Sequence, residues 1–139
     1  MSEQPLLLDT CALIWMAEDA PLAPEAAELL DAADAAGAVT YVSPISAWEV
    51  GLLVARARLK LLITPERWFQ RLLETPQVRL ADMSPDLLIA SSFLPGSPPR
   101  DPADRIVAAT ARYYGCTLLT RDEALLDYGE QGHLRVVRC

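Results

Sequence analysis

Histidine occurs once in the 139 residues, as His133, and lysine once, as Lys60. The three cysteines, Cys11, Cys116 and Cys139, are odd in number and far apart. That usage builds neither a zinc site nor a disulfide framework, and it suits a reducing cytoplasm. No uninterrupted apolar run reaches the roughly 18 residues that a membrane-spanning helix needs. The start, "MSEQPLLLD", lacks a basic segment and meets an aspartate after three leucines, so it does not read as a signal peptide. The first 50 residues contain no Lys or Arg at all, yet hold nine acids.

What is present is equally uneven. Residues 51–139 carry all twelve bases against ten acids, net +2, although the whole chain is −7. Eleven of those bases are arginine, the side chain best shaped for bidentate phosphate contacts. Overall acidity therefore argues only mildly against nucleic acid as a partner, because the basic half could carry such a contact.

Short apolar runs alternate with helical stretches. "LLLD" (6–9), "AVTYVS" (38–43), "VRLA" (78–81), "CTLLT" (116–120) and "LRVV" (134–137) are the expected strands. Helices are expected at 10–18, 22–37, 44–60, 66–75, 86–94, 102–114 and 121–129. Ser43-Pro44, Thr64-Pro65, Ser84-Pro85 and Asp101-Pro102 each pair a capping side chain with a proline at the first helical position. Gly37 and Gly115 are stop signals. The pattern predicts an α/β domain over 1–139, a parallel sheet of about four to five short strands covered by helices on both faces.

In such a sheet the residues just past each strand gather at its carboxyl edge, where ligands bind at a reversal of strand order. Asp9 ends the first strand, and Asp122 lies two residues beyond the fourth. Glu49 falls in the second turn of the helix after the second strand. Asp104 opens the helix that enters the fourth strand, so its end also points to that edge. Singly, each acid has an ordinary account. Asp9, Asp101 and Asp122 suit N-caps, Asp104 suits a helix dipole, and Glu49 could close a capping box with Ser46. Together they raise an electrostatic problem. Like charges about 4 Å apart repel by roughly 4 kcal/mol at an effective dielectric near 20. A divalent cation resolves it, and oxygen-only ligands favour Mg²⁺ or Mn²⁺ over zinc. The chemistry suited to such an ion is phosphoryl transfer.

"LLLDTCALIW", "SPISAWEV", "DPADRIVAATA" and "LLTRD", in this order and spacing, resemble the motifs of a PIN-domain nuclease, and most closely the VapC toxins of bacterial toxin–antitoxin pairs. The resemblance implies a Mg²⁺- or Mn²⁺-dependent endoribonuclease with a four-acid centre of Asp9, Glu49, Asp104 and Asp122. Asp9 and Asp104 would be the principal metal ligands, with Glu49, Asp122 and Asp101 as further candidates. Thr10 and Thr120 match small hydroxyl positions that line such sites. An antitoxin segment and a second copy of the chain are the implied protein partners. Many relatives carry a histidine just ahead of the "DPxDR" signature, where this chain has "SPPR".

Arg56, Arg58 and Lys60, in "ARARLK", are candidate RNA contacts or simply a solvated helical face. Trp48, Trp68 and Phe69 are expected in the core, or lining an apolar groove for a partner helix. Other readings are a catalytically silent RNA- or protein-binding module, a phosphatase built on Asp9, and a Cys11–His133 nucleophilic pair. A phosphatase of the haloacid-dehalogenase type would need an aspartate where Cys11 stands.

Overall fold

The computed structural model describes residues 4–18 and 20–139. The first residues of the start discussed above, with Glu3 and Asp19 among the early acids, lie outside the described residues. Five strands are present: β1 (Leu6–Leu8), β2 (Thr40–Val42), β3 (Val78–Leu80), β4 (Thr117–Thr120) and β5 (Arg135–Arg138). They form one sheet in the order β3-β2-β1-β4-β5, with every pairing parallel. Strand order reverses beside β1, because the chain builds outward to β2 and β3 and then returns to add β4 on the other side. The register sets Leu8 opposite Val42 and Leu119, which aligns the ends of the three central strands.

Strand β1 shows why "LLL" lacks polar alternation. Leu6 and Leu8 pack on one face with Val42, Leu119, Ala12, Leu13, Ala26, Ala33, Phe69 and Leu72. Leu7 faces the other way, among Val107, Ala108, Ala111, Leu118, Leu125 and Tyr128. A strand covered on both sides has no solvent face, so each position is apolar. Truncating one such leucine to alanine costs about 2–5 kcal/mol.

Helices α1 (Thr10–Ala17), α2 (Pro24–Ala36) and α4 (Pro65–Leu73) cover the first face. The second is covered by α6 (Pro102–Tyr114) and α7 (Glu123–Glu130), with α5 (Pro85–Ala90) against α6. Helix α3 (Pro44–Ala55) packs between α1, α4 and α6. The four predicted caps are present: Ser43, Thr64, Ser84 and Asp101 accept from the backbone N–H of Ile45, Arg67, Leu87 and Asp104. Gly37 and Gly115 end α2 and α6 with φ of +68° and +65°. Among the described residues no helix is long and apolar enough to cross a membrane.

Two expectations need correction. Helix α3 stops at Ala55 rather than Lys60, with Arg56 as C-cap and Ala57 at φ +57°. The "ARARLK" segment is therefore a turn, folded back so that the N–H of Arg58 reaches the Leu53 carbonyl at 2.8 Å. Helix α5 ends at Ala90, four residues early, where Ser91 donates from its hydroxyl to the Leu88 carbonyl. Of the two places left open for Trp48, the core is excluded, because it is 57% exposed. Phe69 is buried as expected, and Trp68 is half-buried against the first-face core.

Candidate active site at the carboxyl edge

Because β1 ends at Leu8, Asp9 is both the first residue past the strand and the N-cap of α1. It is buried, and both of its oxygens are engaged. Oδ1 accepts from its neighbour's backbone, Thr10 N–H, at 2.9 Å, and Oδ2 from Thr120 Oγ1 at 2.6 Å. Thr120 ends β4, the strand paired directly with β1, so the sheet itself sets this contact. The same threonine oxygen accepts from the Asp122 N–H at 3.0 Å.

Glu49 reaches the edge from α3. Its Oε1 accepts from Thr10 Oγ1 at 2.6 Å, and Thr10 Oγ1 also stands 2.9 Å from Ser46 Oγ. Ser46 is fully buried one turn before Glu49, and its side chain faces Thr10. It is therefore the inner end of a hydroxyl chain running Ser46, Thr10, Glu49, and Ser43 is the cap of this helix. The resemblance placed Thr10 and Glu49 in one site, but their hydrogen bond, across 39 positions, emerges only from the fold.

Asp101 and Asp122 each cap a helix, accepting from Asp104 N–H and Leu125 N–H at 3.1 Å. Asp104 differs: among the described residues nothing donates a hydrogen bond to its carboxylate. Burial, followed by repulsion from Asp122, Asp101, Asp9 and Glu49, pushes its carboxyl up to about 7. Burial also raises Asp9 and Glu49, with the Thr120 and Thr10 hydroxyls pulling each back down. Asp9, Glu49 and Asp104 are thus each raised at one site, by burial first and by neighbouring carboxylates second.

These side chains line a cleft of about 580 Å³ that also takes in Cys11, Trp15, Trp48, Leu52, Arg56 and Arg58. Lys60 is not part of its wall, and it stands apart from the two arginines with which the sequence grouped it. On one side the Arg121 guanidinium lies 3.3 Å over the Trp15 ring and donates to the Cys139 carbonyl. Cys11 Sγ is 4.0 Å from Asp9 Oδ2. Its hydrogen bond with Cys139, then burial, holds the Cys11 thiol well above the usual range, so it is protonated. His133 stacks at 5.2 Å on Tyr128, beside Gly96, where its ring leaves no room for a Cβ. That position removes the Cys11–His133 pair as a catalytic arrangement.

Among the described residues no three His, Cys, Asp or Glu side chains are drawn together as a closed metal cage. Mg²⁺ keeps several of its own waters when bound, so one or two carboxylates can hold it without such a cage. The donor set fits a hard cation held in that manner: carboxylate oxygens only, a protonated thiol, and one carboxylate without a partner.

The profile of the family described as PIN domain matches residues 6–131. The chain is similar to Ribonuclease VapC22 of Mycobacterium tuberculosis (strain ATCC 25618 / H37Rv), at 36% identity over 121 residues, 86% of this chain and 88% of that protein. Among solved structures it is similar to VapBC2 from Rickettsia felis bound to a DNA fragment from their promoter. That likeness has a TM-score of 0.65 at 12% identity, over 97% of this chain and 98% of that one. A domain of a functionally unknown protein from Methanocaldococcus jannaschii DSM 2661 gives 0.61 at 15% identity, over 99% and 91%. At these identities the structural likenesses speak to the fold.

Proposed function

The chain belongs to the PIN domain family, and from that premise we propose that it is a Mg²⁺- or Mn²⁺-dependent endoribonuclease, the cytoplasmic toxin of a toxin–antitoxin pair. The observation that carries this reading is Asp104, unpartnered among four other acids at the reversal of strand order and raised to about 7 by burial first and by those acids second. The 36% identical relative that bears the name ribonuclease supports it.

Asp9 and Asp104 are the residues that would hold the cation, with Glu49, Asp122 and Asp101 contributing directly or through water. A divalent ion bound there supplies Lewis-acid polarisation of a phosphate and acidifies a water to near neutrality. The protein's own part is positional. Thr120 fixes the rotamer of Asp9, and Thr10 fixes that of Glu49, so two carboxylates are oriented before any ligand arrives. Each Asp9 oxygen accepts one hydrogen bond and keeps a further lone pair, so the carboxylate is held in orientation while still able to ligate a cation. Glu49, raised by burial and oriented by Thr10, would be placed to accept a proton at the cleft. Arg56 and Arg58 lie in the same cleft and supply positive charge for phosphates outside the scissile one.

An antitoxin segment that placed a basic side chain among these acids would neutralise them without metal and block the cleft. We also assign the chain a homodimeric state, the form implied by the toxin reading.

Purified protein, freed of partners, is incubated with small cellular RNAs in Mn²⁺, in EDTA, and as Asp104→Asn. Discrete fragments that need both metal and Asp104 are the expected result. Intact RNA throughout, from folded protein that binds Mn²⁺, would replace this reading with a silent binding module.

A further inference from the structure

Trp48 is the one large apolar side chain in the cleft that stands mostly in water, at 57% exposure. It directly precedes Glu49 on α3, and both residues line the same space. The other tryptophan there, Trp15, already has Arg121 over its ring. Among the described residues Trp48 pairs with no other aromatic ring, and no cation lies over it. An indole left largely in water forgoes much of the stabilisation that burial would give it, and it caps no helix.

The cations follow from the same helix. Glu49, Leu52, Leu53 and Arg56 repeat at the spacing that puts side chains along one face. Arg56 therefore stands about 10 Å along the axis from Glu49, at seven residues of about 1.5 Å each. The left-handed turn at Ala57 then returns Arg58 to the same cleft, although alanine rarely takes φ of +57°. An exposed indole beside the acidic centre, with two arginines further out, is the combination by which single-stranded nucleic acids are held: bases stack and phosphates are neutralised.

We propose that Trp48 is a stacking platform for an unpaired base next to the scissile phosphate, with Arg56 and Arg58 gripping the backbone beyond it. This rests on the ribonuclease reading and adds to it the residue that contacts a base. A paired base has both faces covered within its helix and gains nothing from Trp48. Arg56 and Arg58 serve any strand equally, so Trp48 is the contact that discriminates.

The test uses binding, measured in EDTA so that cleavage is not required. A fluorescein-labelled oligoadenylate of about ten nucleotides and a blunt RNA duplex of similar length are titrated with the full chain, and anisotropy is read. The unpaired strand is expected to bind more tightly. Trp48→Leu weakens it about 5- to 100-fold while duplex affinity is unchanged, and Trp48→Phe recovers most of the loss. Arg56→Gln and Arg58→Gln each lower the slope of log Kd against log salt by about one, whereas Trp48→Leu leaves that slope alone. Leucine keeps an apolar surface but removes the ring, so unchanged affinity in Trp48→Leu would show that no base stacks there and would overturn the proposal. Cleavage by wild type alongside that result would leave the ribonuclease reading standing. Wild type that neither binds nor cleaves any RNA would overturn both.

Discussion

The two sides of the acidic cleft are built differently. On the β1–α3 side, Asp9 and Glu49 each accept a 2.6 Å hydrogen bond from a threonine hydroxyl, and Ser46 backs one of those threonines from the buried interior. On the α6 side, Asp101 is spent on capping the helix, and Asp104, three residues on, has no donor. The first pair is held in place whether or not a ligand is present. Asp104 carries the strain of the assembled charge, because burial and four like neighbours act on it without relief. Donors on one side and none on the other is what a cation site needs: fixed ligands to define the position, and one uncompensated carboxylate to reward binding.

The largest expected effect comes from removing that uncompensated charge. Asp104→Asn lowers kcat/KM for RNA by about 10³-fold or more, since the interaction at risk is worth several kcal/mol. The same change raises the melting temperature of metal-free protein at pH 8, because a like charge has gone. Lower activity with higher stability, read by cleavage and by calorimetry, separates a functional acid from a structural one.

On the held side the signs should agree instead. Thr120 is fully buried and donates to Asp9, so Thr120→Val costs about 1.5–3 kcal/mol of stability and cuts the cleavage rate about tenfold, while Thr120→Ser preserves both. Thr10→Val should behave in the same way through Glu49.

The pH dependence sharpens the contrast further. The folded-state value of Asp104, about 7, lies above its ordinary 3.8, so between these the folded protein retains a proton that the unfolded chain has released. Stability in EDTA therefore falls as pH rises from about 4 to about 7 and then levels off. Mg²⁺, which binds the ionised form, should stabilise more at pH 8 than at pH 5, and Asp104→Asn should flatten both trends. Thermal melts across that range in EDTA and in Mg²⁺ are the check.

The smallest effect belongs to Glu123→Gln. It breaks the ion pair with Arg138, whose two side chains are 58% and 72% exposed, and should change stability by less than about 1 kcal/mol and cleavage not at all.

Local chemistry was readable in the sequence. Asp101-Pro102 and Ser43-Pro44 fix helix starts within a few residues, and "LLL" is apolar because both faces of β1 are covered. The edge location of the acids followed from topology alone. What failed was tertiary or lacked a local marker. "ARARLK" has high helix propensity and no glycine stop, so nothing announced that the chain turns at Ala57. The sequence left Trp48 either in the core or on a groove, and only the path of α3 decides between them by facing it to the cleft. Thr10 joins Ser46 and Glu49 from another helix, at a distance along the chain that no local spacing relates.

The central claim is that Asp104 completes a divalent-cation site with Asp9, and Mn²⁺ titration of the purified chain tests it most directly. Calorimetry on wild type, Asp104→Asn and Glu123→Gln, each shown to be folded, should give saturable Mn²⁺ binding. That binding should weaken at least tenfold in Asp104→Asn and remain unchanged in Glu123→Gln. Equal Mn²⁺ affinity in all three proteins would contradict the account.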